Sequence, residues 1–391
     1  MTVPFSMSLP LEEVRALVAH YPSPPVVGTV GSHSAIDVAD GAVTEGLTSL
    51  ILAEAGRDAT YTRYFRTVRA PDGTRMRGCV DDVWTFPKFA DIVSPAVQER
   101  LRSEGVVLVP NRAFSSYVAL EAIEDDFRVP IAGSRMLLRI EERSERENYY
   151  TLLERAGIRT PRKIPNPEAI DRLAIVKLPH ATRRLERGFF TVTSPTEYRA
   201  KVERLVARGT VAPADLETAR IEEYVLGPVF NFNFFFSPLV PRAEGLELLG
   251  VDERRESNLD GLVRLPAAQQ LELNDSDRIP EYLVVGHGTL TVRESILEEV
   301  FRMGEKFVDA AKAQYPPGIL GPFCLQTCID RAGHPVVFDV AARIGGGTYV
   351  HLALGHPYGN ALYRGPMSSG RRVALEIRRA SEQGRLAEIV T

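Results

Sequence analysis

Two strand-like segments in the last quarter of the chain carry oxygen-bearing side chains that suit a metal. Gln326 lies in FCLQTCI and Asp339 in PVVFDVA, and the turn between these segments predicts a hairpin in which both side chains point to one face. Two oxygen ligands on rigid strands suit Mg²⁺, which takes its remaining ligands from water and phosphate. By spacing alone, the same segments are also typical of a buried hairpin with a surface carboxylate.

Cations and glycines accompany this pair. Arg343 follows Asp339 by four residues, and its fixed fork of N–H donors suits a phosphate or a developing acyl phosphate. The run Gly345 to Gly347 comes next and permits backbone N–H groups to approach an anion closely. Lys177 ends another strand-like segment, LAIVKLP, just before an arginine-rich turn, which places one cation under a covering loop. The combination predicts a phosphate-binding site.

A nucleotide contact is predicted where an acidic segment turns apolar at a strand end. In Glu222, Glu223, Tyr224 and Val225, backbone groups suit an adenine edge and carboxylates suit ribose hydroxyls. Taken alone, the segment is more typical of a solvated strand end, because exposed glutamate is the common case.

A second anion site is predicted near the N-terminus. The segment GSHSA lies between the first strand and the first helix, where free backbone donors and the helix dipole favour an anion such as a substrate phosphate. His33 then contacts the phosphate or a neighbouring group. The alternative is a structural loop histidine.

The elements that must position these residues divide into two kinds. The first 140 residues show a strand, loop, helix, strand order that predicts a parallel α/β unit. Residues 141–157 read as one helix that closes at Gly157, which suits a boundary between lobes. Farther on, the hairpin LAIVKLP and FFTVT, a helix over 195–208 and later strands predict an antiparallel sheet decorated by helices. A helix over 293–314 precedes the metal hairpin, and the helix over 370–389 reads as an arginine-rich solvated face.

Bulk composition excludes several classes of protein. With 391 residues, 44% of them hydrophobic, the chain can bury a large core. Its 47 basic and 51 acidic residues give a formal charge of −4, so polynucleotide binding is not expected. Neither a signal peptide nor an apolar stretch of membrane-spanning length is evident, so a cytoplasmic protein without a membrane partner is expected. Cys324 and Cys328 lie at even spacing in one strand and read as small apolar residues.

Five longer segments carry a family resemblance: GSHSAIDVADGAVTEG, IEEYVLG, DERRESNLDGLVRLPA, PPGILGPFCLQ and VVFDVAARIGGGT. Together they resemble the archaeal-type formate-dependent FAICAR synthetases, which are ATP-grasp ligases of purine biosynthesis, over nearly the whole chain. The resemblance implies a three-lobed ATP-grasp fold. Residues 1–140 would form a Rossmann-like substrate-binding domain, residues 141–225 the small ATP-grasp lobe, and residues 226–391 the large lobe with the metal site.

The resemblance also implies the chemistry. ATP phosphorylates formate, and the amine of 5-aminoimidazole-4-carboxamide ribonucleotide (AICAR) attacks the formyl phosphate to give FAICAR, ADP and phosphate. The partners are then small molecules, and association into a homo-oligomer is common among such ligases. The implied roles fall on the residues already singled out and on two more: Gln326 and Asp339 for Mg²⁺ (or Mn²⁺), Lys177 and Arg343 for phosphates and catalysis, Glu222 to Val225 for adenosine, His33 and Ser34 for the ribotide phosphate, and Asn258 for substrate.

Several positions depart from the family pattern. The segment Ala181 to Gly188 is a bulkier and more basic lid than the usual glycine-rich one, Asp339 is one methylene shorter than the usual glutamate, and Ala341 lacks a polar group common at that place. The segment NRAF, with Arg112 in second place, replaces a histidine, glycine, serine pattern of the substrate pocket. Arg112 is therefore predicted to bind a substrate carboxylate or phosphate, with a surface arginine as the alternative.

Three functions remain open at this point. The first is formylation of AICAR. The second is a paralogue that activates a different carboxylate, such as one on an azole nucleotide or nucleoside, and amidates it. The third is a nucleotide-binding protein without catalysis. Product formation from ATP, Mg²⁺, formate and AICAR separates the first function from the other two, because only the first makes FAICAR.

Overall fold

A parallel sheet forms the N-terminal part of the chain. The computed structural model of the protein describes residues 9–143, 145–178, 189–274 and 284–391. The sheet has the order β5-β2-β1-β6, and every neighbouring pair is parallel. The central strands read as continuous apolar runs because helices cover both faces of the sheet. The elements of this part are α1 (Leu11–Val18), β1 (Val26–Val30), α2 (Ala35–Thr44), β2 (Thr48–Glu54), β3 (Val68–Arg69), β4 (Arg75–Arg77), β5 (Asp82–Phe86), α3 (Pro95–Ser103), β6 (Val106–Val109) and α4 (Arg112–Tyr117).

An antiparallel sheet of order β7-β10-β8-β9 follows. Strands β8 and β9 are the two arms of the hairpin predicted from LAIVKLP and FFTVT, paired from Ala174 with Val192 to Lys177 with Phe189. One face of this sheet packs into an apolar cluster beneath α6, and the other carries charged side chains. The elements are α5 (Tyr149–Arg155), β7 (Lys163–Ile164), β8 (Ala174–Lys177), β9 (Phe189–Val192), α6 (Pro195–Ala207), α7 (Pro213–Glu217) and β10 (Arg220–Glu223).

The third sheet is antiparallel, with the order β13-β12-β11-β14-β15. Helix α10 covers one face because its apolar residues recur at helical spacing, from Val300 through Phe307 to Ala311. The elements are β11 (Val229–Phe236), β12 (Leu246–Glu256), α8 (Ser257–Leu262), α9 (Ala267–Glu272), β13 (Val284–Leu290), α10 (Leu297–Gln314), β14 (Gly321–Ile329), β15 (Pro335–Ala341), α11 (Pro357–Tyr363), α12 (Ser369–Glu382) and α13 (Leu386–Ile389).

The C-terminal helix returns to the first sheet. Helix α12 packs on α2 so closely that a Cβ at Gly41 or at Gly370 would overlap the backbone of the other helix. The backbone N–H of Gly370 also donates to the Asp37 carboxylate at 2.9 Å. Residues from both ends of the sequence therefore share one apolar cluster.

Two sequence-based expectations about helices are wrong. Residues 141–157 do not form one helix: a 3-10 helix, Arg135–Glu141, is followed by bends, and only α5 is α-helical. Nor is the C-terminal helix a solvated face. Most of α12 is buried, and Arg372, with 2% of its side chain exposed, pairs with Glu247 and Glu376, each at 2.8 Å. Burial of these charges in pairs explains why an arginine-rich helix lies inside.

Other expectations are confirmed or stay open. Cys324 and Cys328 are buried free thiols, as is Cys79. No helix in the described ranges is long and apolar enough to span a membrane. Each of the three larger sheets lies within one of the three expected lobes, and the boundaries at 140/141 and 225/226 stay predictions. The arginine-rich lid over 181–188 lies outside the described residues.

A buried guanidinium ties the C-terminal residue to the N-terminal part of the fold. Arg135 is fully buried and donates to the carbonyl oxygens of Phe127 at 2.6 Å, Val129 at 3.0 Å and Thr391 at 2.8 Å. Burial lowers the pKa of Arg135 to about 9, so the group remains charged at neutral pH.

We expect Arg135→Met to destabilise the protein by about 3 kcal/mol or more, because each buried carbonyl left without a donor costs roughly 1–3 kcal/mol. Urea unfolding measures the change. The control is Arg128→Met, which removes an ion pair with Glu13 at half-exposed side chains and should cost less than about 1 kcal/mol. Equal stabilities of the two variants would contradict this role of Arg135.

Candidate functional site

A row of polar side chains crosses one face of the third sheet. The register pairs Asp339 with Gln326, Gln326 with Asn231, Asn231 with Asp252, and Asp252 with Thr289. Residues directly opposite one another in a sheet point to the same face, so all five side chains share it. Their sequence neighbours point the other way, into the core, as the alternation of a strand requires: Phe232, Leu325, Val251 and Val340. A polar floor therefore faces away from α10.

The pair predicted to hold a metal lies at one end of this floor. Gln326 is buried, whereas Asp339 is half-buried and accepts a hydrogen bond from its own neighbour, Val340 N, at 3.0 Å. The Gln326 Oε1 atom accepts a hydrogen bond from the guanidinium of Arg254. The hairpin thus brings the two oxygen-bearing side chains together as expected, and Arg254 supplies positive charge at the same place.

Lys177 reaches the same end of the floor from the second sheet. Its ammonium pairs with Glu222 and donates to the hydroxyl of Tyr150 at 2.7 Å and to the carbonyl of Phe338 at 3.1 Å. Phe338 directly precedes Asp339, so Lys177 bridges two lobes next to the predicted metal ligand. Burial lowers the pKa of Lys177, while the carboxylates of Glu222 and Asp339 oppose that shift.

Glu222 is held within the second sheet and is not open to a ligand. Only 1% of its side chain is exposed, and it pairs with Arg220 at 2.9 Å as well as with Lys177. Strand pairing explains this arrangement, because Arg220 lies opposite Lys177 and Glu222 is two residues farther along the same face.

The rest of the predicted adenosine segment leaves the sheet through backbone hydrogen bonds. Glu223 N donates to Arg162 O at 2.9 Å, and Tyr224 N donates to Leu173 O at 3.0 Å. Val225 O accepts from the thiol of Cys328 at 3.4 Å, which places the segment beside β14. These residues therefore connect the second and third sheets.

Arg343 lies in a cluster of opposite charges beyond β15. Its guanidinium donates to Glu141 Oε2 at 3.0 Å, and Arg112 approaches the same oxygen at 3.5 Å and Glu142 at 2.8 Å. Glu141 also accepts from the backbone N–H of Ala342 at 2.9 Å. Within the described ranges, Arg343 Nε is buried and has no hydrogen-bond partner. The cluster fixes both arginines beside the space between the polar floor and the first loop of the parallel sheet, residues 31–35. We call this space the cleft.

The first loop of the parallel sheet closes on the glycine run. Ser34 is buried and donates its hydroxyl proton to the carbonyl of Gly345. The ring of His33 lies beside Gly346, where a Cβ would stand 3.2 Å from His33 Cδ2. His33 itself has φ 46°, in the left-handed region, and its Nδ1 lies 3.0 Å from Ser32 Oγ. The two segments predicted to bind phosphates are therefore in contact.

Asn111 explains part of the altered NRAF segment. It caps α4 and donates from Nδ2 to Val30 O at 2.7 Å and to Ser32 O at 3.1 Å. The first residue of NRAF thus holds the His33 loop in place. Asn258 lies half-buried in the first turn of α8, directly after β12.

We expect His33 to titrate far below an ordinary histidine. Partial removal of water from around its ring, followed by the charges of Arg343 and Arg112, lowers its pKa from 6.5 to about 4, although the residue remains exposed. Between these values the unfolded chain holds the proton and the folded chain does not, so this group lowers stability as the pH falls from 6.5 to 4. A bound phosphate favours the imidazolium and should raise the pKa, so phosphate binds more tightly as the pH falls within that window.

Proton NMR of the His33 Cε1–H signal, assigned with His33→Gln, measures both effects. The midpoint should lie near 4 in the free protein and move upward with ribose 5-phosphate. A titration midpoint near 6.5 that does not change when ribose 5-phosphate is added would contradict the placement of an anion at this loop.

Sequence reasoning missed a second set of cations beside Lys177. A cavity of about 270 Å³ is lined by Lys177 together with Arg143, Arg146, Lys163 and Arg220. Arginine-rich loops are usually solvated faces, and nothing in ERSERE distinguishes one that lines a cavity.

The buried polar network at the far end of the floor was also missed. Asp252 accepts from Asn231 Nδ2 at 2.8 Å, from Asn233 Nδ2 at 2.6 Å and from His287 Nδ1 at 2.8 Å. A signal for it does exist in FNFNFFF, where two asparagines at even spacing interrupt a run of phenylalanines. Asparagine is depleted in strands, so two on one face indicate a polar surface.

Family models match most of the chain. One, described as a protein of unknown function (DUF1246), matches residues 27–164, and another, described as a domain of unknown function (DUF1297), matches residues 197–391. Among curated proteins, the 5-formaminoimidazole-4-carboxamide-1-(beta)-D-ribofuranosyl 5'-monophosphate synthetase of Methanothermobacter thermautotrophicus is 42% identical over 366 residues, which cover 93% of this chain and 94% of that protein.

Solved structures agree with this similarity. An IMP biosynthesis protein PurP from Thermococcus kodakaraensis is 28% identical and has a TM-score of 0.68. The match covers 93% of this chain and all of that chain. A biotin carboxylase from Campylobacter jejuni, solved as a beta-gamma-ATP complex, is 13% identical and has a TM-score of 0.58. The match covers 91% of this chain and 70% of that chain, and it shows a likeness of fold alone. The expected ATP-grasp fold is confirmed.

Proposed function

Because the chain belongs to the 5-formaminoimidazole-4-carboxamide ribonucleotide synthetase family, we propose that it joins formate to the amine of AICAR and converts ATP to ADP and phosphate. Support comes first from Lys177, which crosses from the second sheet to the carbonyl beside Asp339. A cation and an oxygen-bearing metal site on facing lobes are what a transferring phosphoryl group requires.

The nucleotide would enter between the second and third sheets. We place its adenosine along Glu223 to Val225, where the backbone bridges the two sheets, and its phosphates toward Lys177 and the cavity lined by Arg143 and Arg146. Glu222 does not take the ribose in this arrangement, because Lys177 and Arg220 already neutralise its carboxylate. Its role is to hold Lys177 in position.

The residues present fit a magnesium ion that is shared with phosphate. Asp339 provides a carboxylate and Gln326 an amide oxygen in direct register, and such a pair leaves the remaining positions to phosphate oxygens and water. Arg254 pairs with the Gln326 oxygen and would turn toward phosphate when the metal binds. The bound ion would neutralise charge on the transferring phosphoryl group, and Mn²⁺ has compatible ligand preferences.

The remaining cations would hold the acyl phosphate and the acceptor. Glu141 fixes Arg343 beside the glycine run. The buried Nε of Arg343 has no hydrogen-bond partner in the described ranges, which is expected of a donor whose partner is a bound anion. The His33 loop contacts the glycine run Gly345 to Gly347. If the phosphate of AICAR binds at His33, the imidazole ring of AICAR lies near Arg343. Positioning and charge neutralisation then supply most of the rate enhancement.

The surroundings of Arg112 argue against a different carboxylic acid as substrate. Glu142 and Glu141 raise the pKa of Arg112 against the opposing effect of its burial, and both lie within ion-pair distance of it. Unlike Arg343, whose Nε is without a partner in the described ranges, Arg112 has two carboxylates within ion-pair distance, so it does not call for another acid on the substrate. NRAF therefore gives no support to the amidating paralogue.

Incubation with ATP, Mg²⁺, ¹³C-formate and AICAR tests the proposal, with mass spectrometry of the nucleotide product. The expected result is a labelled formyl group on AICAR and one ADP per product. Omission of formate, or its replacement by acetate, should abolish product. If ADP forms only with another acid, the amidating alternative replaces this function, and if no acid and amine pair gives turnover, a binding protein without catalysis does.

A further inference from the structure

His287 and Asp252 form a histidine and carboxylate pair at the end of the polar floor opposite to the metal ligands. His287 lies on β13, and its Nδ1 is 2.8 Å from Asp252 Oδ1. Asp252 has 2% of its side chain exposed and accepts from Asn231 and Asn233 as well, so three donors hold the carboxylate in one orientation. His287 is more open, with 16% of its side chain exposed.

The pair adjoins the loop that carries the predicted phosphate contacts. A Cβ at Gly347 would stand 2.5 Å from His287 Nδ1 and would overlap Asp252, so the glycine run lies directly on the pair. Gly346, the neighbour of Gly347, lies beside the ring of His33, so both imidazoles adjoin the glycine run. Two strand spacings separate Asp252 from Gln326, about 10 Å, which leaves room for an acyl phosphate and an attacking amine between them.

Other groups in the cleft are poorly suited to accept a proton. Glu222 is neutralised by Lys177 and Arg220, and Glu141 by Arg343 and Arg112. His33 has its pKa lowered to about 4, which makes it a weak base. Asp339 is the proposed metal ligand. Of the described groups around the floor, His287 alone combines a partly exposed side chain with a hydrogen bond to a buried carboxylate.

We propose that His287 is the general base that removes the proton from the acceptor amine, with Asp252 as its positioning residue. This assignment rests on the proposed function. Because the Asp252 carboxylate can only accept, Nδ1 of His287 carries the proton and Nε2 carries the lone pair that can accept another. The amine nitrogen forms a bond to the acyl carbon, the bond from that carbon to the phosphate oxygen breaks, inorganic phosphate leaves, and the proton lost by nitrogen passes to His287 Nε2.

Several titratable groups lie on the elements around His287. Asp252 and Arg254 come from β12, His33 from the first loop, and His351 from the 3-10 helix Thr348–His351. Asp252 is the hydrogen-bond partner of His287, and the guanidinium of Arg254 donates to Gln326.

The test separates the two chemical steps in His287→Gln. Positional isotope exchange within ¹⁸O-labelled ATP, with formate and an AICAR analogue that lacks the attacking amine, reports acyl phosphate formation. FAICAR production reports the amine step. We expect exchange within about twofold of the wild type, FAICAR production lower by about 10²–10⁴-fold, and at least tenfold recovery with added imidazole.

A matched control and a second variant guard against a structural explanation. His334 pairs with Glu299 at 3.2 Å on the exposed surface, so His334→Gln removes a similar pair far from the floor and should leave both readouts unchanged. Asp252→Asn should lower FAICAR production and keep isotope exchange.

FAICAR production by His287→Gln within threefold of the wild type would overturn the assignment, as would equal losses of exchange and product. Absence of formate-dependent exchange in the wild type would instead overturn the proposed function, and this assignment with it.

Discussion

Asp339→Asn should lower kcat/KM for FAICAR formation by about a thousandfold, because a metal on the transferring phosphoryl group contributes several kcal/mol to the transition state. Asparagine keeps the shape of the side chain and can still accept the hydrogen bond from Val340 N. The variant also loses the carboxylate charge of Asp339, which opposes the lowering of the pKa of Lys177 by burial. Steady-state kinetics over a range of Mg²⁺ concentrations should show a higher requirement for the ion in the variant.

The control for this variant is Asp309→Asn. Asp309 lies on α10 with 67% of its side chain exposed and pairs with a surface arginine, Arg242, at 2.7 Å. It changes the net charge by the same amount and should retain full activity. If Asp339→Asn keeps activity within threefold of the wild type, Asp339 does not hold the metal.

Lys177→Met should have the second largest effect. We expect a fall of about 10²–10³-fold in kcat/KM for ATP, comparable with the loss of one preorganised donor to a developing charge. The fold should survive because Glu222 keeps its pair with Arg220 at 2.9 Å, and methionine fills much of the space left by the lysine side chain. Initial rates over a range of ATP concentrations, together with fluorescence titration of an ATP analogue, measure the loss in catalysis and in binding separately.

Lys201→Met is the control for Lys177→Met, because Lys201 lies on the helix that packs on the same sheet. Lys201 is partly buried on α6 and donates to the carbonyl of Thr191 at 2.9 Å, away from the floor. Its replacement should change stability slightly and ATP kinetics not at all. Equal kinetics for the two lysine variants would mean that the bridge from Lys177 to Phe338 serves packing rather than phosphate.

Local pattern was sufficient for much of the fold. The hairpin of Gln326 and Asp339 follows from alternation and one turn, and the hairpin that ends in Lys177 from two apolar segments. Helix α6 is expected over 195–208 and spans Pro195–Ala207, with Ser194 as its N-cap and a proline in its first turn. Strand β13 escapes prediction because Gly286 and Gly288 interrupt it, and glycine is depleted in strands.

Contacts between distant segments account for what the sequence leaves out. Nothing near Glu222 shows that its partner is Lys177, since their pairing depends on which strands become neighbours in the sheet. Glu141 reads as part of a helix, yet it closes a cluster with Arg343, 202 residues farther along the chain. Arg372 reads as solvated because its carboxylate partner Glu247 is 125 residues away.

The origin of the phosphate oxygen tests the account most directly. When ¹⁸O-labelled formate reacts with ATP and AICAR, an acyl phosphate intermediate leaves one formate oxygen on the released phosphate. We therefore expect one ¹⁸O atom in each inorganic phosphate, measured by ³¹P NMR or mass spectrometry. Unlabelled phosphate released together with FAICAR would contradict activation of the carboxylate between Lys177 and Asp339.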